Sequence, residues 1–276
     1  MLHRRAFCSA AASAMALPAS AAMLQPGDDP QTSPIWLMLR ASLFAGRSIA
    51  PAPAGMLTLE APSRAIDAAV VPIAIRTRWP HEPARFVAKL YLIIDANPSP
   101  ISAIFQFTPE SGRADIEARV RVDDYSHVRA IAETSDGQLF MVTKFVKASG
   151  GCSAPAGGDA AAALARMGKM RFRIDGDLQG KEPLLAQLAI EHPNHSGLAM
   201  DQATRQFTPA HYVRKIDVSY RGKSVLSADV DFSMSENPNF RFYLLPQGGG
   251  GELLATVEDS QGRHFELKQA LAAAAP

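Results

Sequence analysis

The side chain best placed for covalent chemistry is Cys152. It lies in the run Gly150 to Gly158, which reads Gly-Gly-Cys-Ser-Ala-Pro-Ala-Gly-Gly. A cysteine packed in a core usually has bulky apolar neighbours. Here Gly150, Gly151 and Ser153 flank the thiol, and Pro155, Gly157 and Gly158 prevent regular structure downstream. The pattern predicts a thiol on a narrow, flexible arm, held out for another protein to reach, with Gly150, Gly151, Gly157 and Gly158 as the flexible positions. The alternative is a glycine-rich interdomain linker that happens to contain a cysteine. At a reference pKa of about 8.5, a few per cent of such a thiol is thiolate at neutral pH, and a partner supplying positive charge would raise that fraction.

Other candidates for chemistry are weaker. His192 and His195, separated by Pro193 and Asn194, could join His211 and Cys152 around zinc or copper. Pro193 and Asn194 imply a turn, and ligand-bearing turns normally carry further ligands nearby. The histidines therefore read as loop residues with a hydrogen-bonding role at a sandwich edge, and no metal is expected. A cysteine hydrolase would need a histidine fixed within about 3 Å of the thiol. Ordering a flexible arm for that purpose costs on the order of 1–2 kcal/mol per residue. No haem-attachment, phosphate-loop or Gly-x-Ser-x-Gly motif is present, so neither a cofactor nor catalysis is expected.

Bulk properties narrow the class. The 276 residues suit two small domains, and a net charge of +1 with 7% aromatics gives no footprint for nucleic acid. Arg4 and Arg5 precede a small-residue apolar stretch, and residues 18–22 offer a signal-peptidase type site. Residues 1–22 read as a twin-arginine-type signal peptide, which predicts a periplasmic protein with no membrane anchor after cleavage. Cys8 leaves with this leader, so Cys152 is expected to be the only cysteine of the mature chain, unable to form an internal disulfide.

These groups must be positioned by β-structure. Ser33 and Pro34 can start a helix over about 34–45, with Ile35, Trp36, Leu39, Leu43 and Phe44 as its apolar stripe and Gly46 as its stop. From Met56 the hydrophobic period becomes two. Seven strands are predicted at 56–60, 69–76, 84–94, 101–107, 114–122, 127–134 and 138–146. Residues 118–122, Ala-Arg-Val-Arg-Val, alternate as a half-exposed strand should. Asp159 can cap a short helix over 160–167. A second run follows at 169–175, 184–191, 212–220, 223–230, 239–245, 252–258 and 263–268. The expected fold is all-β: two immunoglobulin-like sandwiches in tandem, over 34–147 and 169–270, with a short N-terminal helix and a cysteine-bearing arm and linker over 148–168.

In this setting the residues resemble a known family. The segment ending in Gly150-Gly-Cys152, preceded by residues 59–70 (Leu-Glu-Ala-Pro-Ser-Arg-Ala-Ile-Asp-Ala-Ala-Val), is similar to SoxY, the cysteine-bearing subunit of the SoxYZ sulfur-oxidation carrier. Residues 191–197 (Glu-His-Pro-Asn-His-Ser-Gly), 208–213 (Thr-Pro-Ala-His-Tyr-Val), 235–240 (Ser-Glu-Asn-Pro-Asn-Phe) and 258–262 (Glu-Asp-Ser-Gln-Gly) resemble SoxZ. The order of these motifs matches the fused, quinoprotein dehydrogenase-associated SoxYZ-like carriers. The resemblance implies that Cys152 is the covalent attachment point for a sulfur-containing or similar thiol-linked intermediate, served by sulfur oxidation in the manner of thiosulfate oxidation. It implies a carrier with no catalysis of its own, docking of the SoxY-like half on the SoxZ-like half, and periplasmic redox or sulfur-processing enzymes as partners, a PQQ-dependent dehydrogenase among them. Two departures stand out. Ser153-Ala-Pro155 replaces the glycine that follows the cysteine in SoxY, and the arm is tethered at both ends. Open alternatives are a non-carrier accessory module of a periplasmic quinoprotein dehydrogenase and a plain secreted pair of sandwiches.

Overall fold

Alternation of apolar side chains builds the two layers. The computed structural model describes residues 25, 27–155, 157, 159–201, 204–246, 248 and 250–272. The expected leader and Gly158 lie outside the described residues. Helix α1 (Pro34–Phe44) begins where Ser33 Oγ accepts the Trp36 N–H at 3.3 Å. It ends at Ala45, in the left-handed region at φ 46°, just before the expected stop at Gly46. Strands of the first half are β1 (Ile49–Pro51), β2 (Leu57–Glu60), β3 (Val71–Thr77), β4 (Val87–Ile94), β5 (Ile101–Phe107), β6 (Ile116–Val120), β7 (Ser126–Thr134) and β8 (Leu139–Val146). Helix α2 (Ala160–Arg166) precedes the second half: β9 (Met170–Asp175), β10 (Leu184–Ile190), β11 (Val213–Tyr220), β12 (Lys223–Val230), β13 (Asn239–Leu244), β14 (Gly251–Asp259) and β15 (His264–Leu271).

The strands form an all-β pair of immunoglobulin-like sandwiches in tandem. They do not stand apart on a linker. Both layers run through both halves: one sheet has the order β1-β8-β7-β4-β5-β12-β11-β14-β15, the other β2-β3-β6-β13-β10-β9. The seam is β5 against β12, antiparallel from Leu226 opposite Phe107 to Val230 opposite Ala103. In the second layer β13 meets β6 at Arg241 and Glu117. One core fills the space between the layers, with Val71, Ile73 and Ile75 from β3 and Leu184, Ala186 and Leu188 from β10 in the same cluster. Phe105 of the first half meets Phe240 of the second edge to face, with centroids 6.1 Å apart.

Strand β7 is buried along nearly its whole length because its second face is covered by α1. Trp36, Leu39 and Phe44 pack there on Tyr91, Ile93, Ile131 and Leu139. Beneath the helix a fully buried Arg129 makes a two-point pair with Asp95 (Nε–Oδ1 2.7 Å, Nη2–Oδ2 2.5 Å) and stacks on the Trp36 ring at 4.4 Å. Strand β1, the edge strand, pairs in parallel with β8 and is absent from the sequence-based reading. It ends on Pro51, and proline is tolerated on a sheet edge, where an N–H is dispensable.

Continuous sheets make the halves one cooperative unit. Calorimetry and urea unfolding should each give a single transition. Phe105→Ala, which removes a fully buried ring at the seam, should cost about 3–5 kcal/mol and lower the whole transition. Two separable transitions would contradict a shared core.

Candidate functional site

Beyond Val120 the chain continues along the line of β6 as Arg121, Val122 and Asp123, and this short stretch receives the cysteine turn. Gly150 N donates to Asp123 O (2.6 Å) and Gly151 N to Val122 O (3.1 Å). Cys152 N donates to Asp123 Oδ1 (3.0 Å). The second half closes over the turn: Ser196 Oγ donates to Cys152 O at 2.5 Å and accepts the Leu198 N–H at 3.1 Å. Cys152 is thus held by both halves at the seam, and it is fully buried.

This corrects the expectation of a thiol held out on a flexible arm. Gly150 sits at φ 75°, where glycine is favoured, and its N–H is bonded. Gly151 is a tight fit, not a hinge, in this conformation: a Cβ there would lie 2.1 Å from Ala68 O and 2.6 Å from Val122 O. Gly157 is exposed but tied through its N–H to Glu236 Oε2 at 3.0 Å. The glycine pattern records close backbone approach as well as freedom. Only the three-dimensional placement of the 194–198 loop tells the two apart.

That loop is the histidine motif of the sequence. Asn194 is fully buried at φ 49°, a conformation asparagine tolerates. Each of its four polar atoms is bonded: N–H to His192 Nδ1 (3.1 Å), Nδ2 to Met234 O (2.8 Å), Oδ1 from Val213 N (2.9 Å) and O from Arg121 Nη1 (2.7 Å). Asn194 therefore fixes Ser196 over Cys152 and Arg121 beside it. Strand alternation alone puts Arg121 on a half-exposed face, but the 194–198 and 231–236 segments cover it and it is 4% exposed.

His192, His211 and Asp259 place their donor atoms within 4.8 Å of one another, all buried. His211 Nε2 bonds Asp259 Oδ2 at 2.6 Å, and His192 Nε2 stands 3.6 Å from the same oxygen. Because His192 Nδ1 accepts the Asn194 N–H, the neutral ring carries its proton on Nε2. That tautomer turns an N–H toward the carboxylate from beyond hydrogen-bond distance, and an Nε2 that carries its proton is not a metal ligand. Burial, with His211 adding to it, pushes the His192 imidazole down to about 4 despite Asp259. Asp259 itself is raised by burial but held below its ordinary value overall, because the Arg263 N–H and His211 bond it. His195 is half-buried and lines a cavity of about 260 Å³ with Pro155, Gly157, Leu164 and Asp201. Cys152 does not line that cavity, and the structure does not bring its thiol together with the His192–His211 pair.

The electrostatics keep the stowed thiol neutral. Burial is the largest cause, the Asp123 carboxylate adds to it, Arg121 opposes it, and Asp231 adds further; the thiol is pushed up to about 12. The ionised fraction at neutral pH then falls to the order of one in a hundred thousand. Arg121, Asp123, Asn194 and Ser196 all escaped the sequence-based assignment of roles to individual residues. The signal for the last two lay in the Glu191–Gly197 motif, whose side-chain roles depend on the seam.

A tandem-sandwich protein with one described cysteine, clamped between its halves, defines a two-part thiol-bearing scaffold. The family models divide it at the same place. "Sulfur oxidation protein SoxY" matches residues 40–152, ending on Cys152, and "Sulphur oxidation protein SoxZ" matches residues 173–270. The chain belongs to the SoxY/SoxZ sulfur-oxidation carrier family, as a single-chain SoxY–SoxZ fusion. No curated protein matches it. Among solved structures it is similar to the sulfur carrier protein SoxY from Chlorobium limicola f thiosulfatophilum, at 22% identity over 40% of this chain and 89% of that one, TM-score 0.34. It also overlaps a superoxide reductase (neelaredoxin) variant from Ignicoccus hospitalis, at 16% identity over 33% of this chain and 78% of that one, TM-score 0.31.

The clamp sets two expected outcomes. Gly151→Ala cannot keep the turn seated against Ala68 O, so it should raise the rate of Cys152 modification by a disulfide reagent at least tenfold while the global transition stays cooperative. An unchanged rate would mean the tight fit does not hold the turn. The raised thiol pKa also links stability to pH. The folded thiol keeps its proton above the unfolded value of about 9, so its contribution is intact below pH 9 and is lost as pH rises toward about 12. Urea titrations should show the wild type losing up to about 1.4 kcal/mol per pH unit more than Cys152→Ala above pH 9; parallel curves would contradict a buried neutral thiol.

Proposed function

We propose that this protein is a periplasmic covalent carrier that holds a sulfur-containing intermediate on Cys152 and presents it to partner enzymes without catalysing the reaction itself. The observation that supports this most is the position of Cys152: it closes the SoxY-like segment, at the seam with the SoxZ-like half. The same clamp suits a carrier at rest. Three backbone N–H bonds and the Ser196 hydroxyl hold the turn. At a net 0.5–1.5 kcal/mol for a typical bond, release costs about 2–6 kcal/mol. Docking on an enzyme can supply that much, and the released thiol returns toward its ordinary pKa and nucleophilicity.

The partners on this reading are periplasmic sulfur-processing or redox enzymes, a PQQ-dependent dehydrogenase among them, and export follows from the leader read at residues 1–22. The depth of burial of Cys152 favours a second reading, a non-carrier accessory module of a quinoprotein dehydrogenase system. Intact-mass and peptide mass spectrometry of the protein from its native periplasm separates the two. A sulfur-containing adduct on Cys152, lost in Cys152→Ser together with turnover by the partner system, is the expected result. A persistently free thiol, with turnover retained by Cys152→Ser, would overturn the carrier reading.

A further inference from the structure

Arg121 stands beside the thiol as a buried cation without an ion-pair partner among the described residues. Its Nη1 donates to the carbonyls of Asn194 (2.7 Å) and Phe232 (3.5 Å), while its Nε is buried and unbonded among the described residues. Its own main chain is tied on both sides, N–H to Ser233 O (2.7 Å) and O from Asn97 Nδ2 (2.8 Å). The next two residues carry the acceptors that seat Gly150, Gly151 and Cys152, so guanidinium and thiol share one stretch of chain and one covering loop.

Burying an unpaired charge costs several kcal/mol, and this one is kept. Burial accordingly lowers the Arg121 pKa, opposed by Cys152 where it ionises and by the Glu236 charge. The nearby carboxylates do not fill the role of partner. Asp123 Oδ1 is committed to Cys152 N. Asp231 is pushed upward, toward its neutral form, by burial, and its Oδ2 takes the Ser99 hydroxyl at 3.2 Å. Glu236 takes the Gly157 N–H.

We infer that Arg121 is a specificity-determining residue that receives the negatively charged end of a cargo carried on Cys152, so that the closed turn retains anionic oxidised-sulfur groups such as a sulfonate in preference to neutral ones. The inference rests on the reading of Cys152 as the attachment site. A guanidinium with a free Nε–H offers the fork that matches a sulfonate's oxygens, and an anion there completes the pair the empty site lacks.

Two adducts that share the disulfide linkage and differ in their end group, one anionic and one neutral, test it on the full chain. Tetrathionate converts the thiolate to Cys–S–S–SO₃⁻, with thiosulfate leaving; methyl methanethiosulfonate gives Cys–S–S–CH₃, with methanesulfinate leaving. Each is made in mild denaturant, refolded and checked by mass, and its removal by dithiothreitol is timed in folded and in unfolded protein. In the wild type the anionic adduct should gain at least tenfold more protection on folding than the methyl adduct, and should melt at the higher temperature. Arg121→Met should abolish that difference and leave methyl-adduct protection unchanged; Arg121→Lys should restore part of it. Equal protection of the two adducts in the wild type would overturn the inference even if Arg121→Met fails to fold, as would a loss in Arg121→Met that strikes both adducts alike. These adducts are made chemically, so the outcome is independent of the adduct found in native protein: that protein can lack cargo while Arg121 still discriminates, or bear cargo while it does not.

Discussion

The pairing of β5 with β12 fixes everything that follows from this structure. Residues 103–107 and 226–230 exchange backbone hydrogen bonds across the boundary of the halves, and the second layer repeats the crossing at Glu117 and Arg241. Because the join is a register and not a loose contact, the loop that carries Asn194 and Ser196 arrives at one position over the segment that carries Arg121 and Asp123. In a two-chain carrier such a position depends on association. Here covalent fusion makes it intramolecular, with an effective concentration of millimolar order for a short tether.

Against that rigid frame the cysteine turn is held by a small number of directional contacts. The turn contributes one buried side chain of modest size and four hydrogen bonds, whereas the seam contributes strands, aromatic rings and a shared core. The two therefore differ in the free energy needed to open them. Protection of the thiol follows from the same contacts. Within the clamp it is buried and neutral; outside it, the thiol has the reactivity of an ordinary cysteine.

Much of the fold was legible because strands that bury one face must alternate. Val71, Ile73 and Ile75, or Leu253, Ala255 and Val257, announce themselves in sequence and sit in the core. The first helix was legible from Ser33, Pro34 and its apolar stripe. What could not be read was anything decided by the seam. Arg119 and Arg121 look alike in an alternating strand, yet a loop some seventy residues away covers only Arg121. Glycines beside Cys152 look like freedom, yet Gly151 is there because two carbonyl oxygens leave no room for a Cβ. The histidine motif was legible as a turn, but Asn194, the residue that organises it, acts through His192 in the motif itself and through partners on three other segments.

Presentation of Cys152 requires its turn to open while the seam stays closed. Native-state hydrogen exchange followed by mass spectrometry measures both in one sample. The amides of Gly150, Gly151 and Cys152, bonded to Asp123 O, Val122 O and Asp123 Oδ1, should exchange through a local opening with a free energy well below that of global unfolding. The amides of β5 and β12 should exchange only with global unfolding. Identical opening free energies for the turn and the seam would rule out a local opening, because the thiol could then be presented only by unfolding the protein.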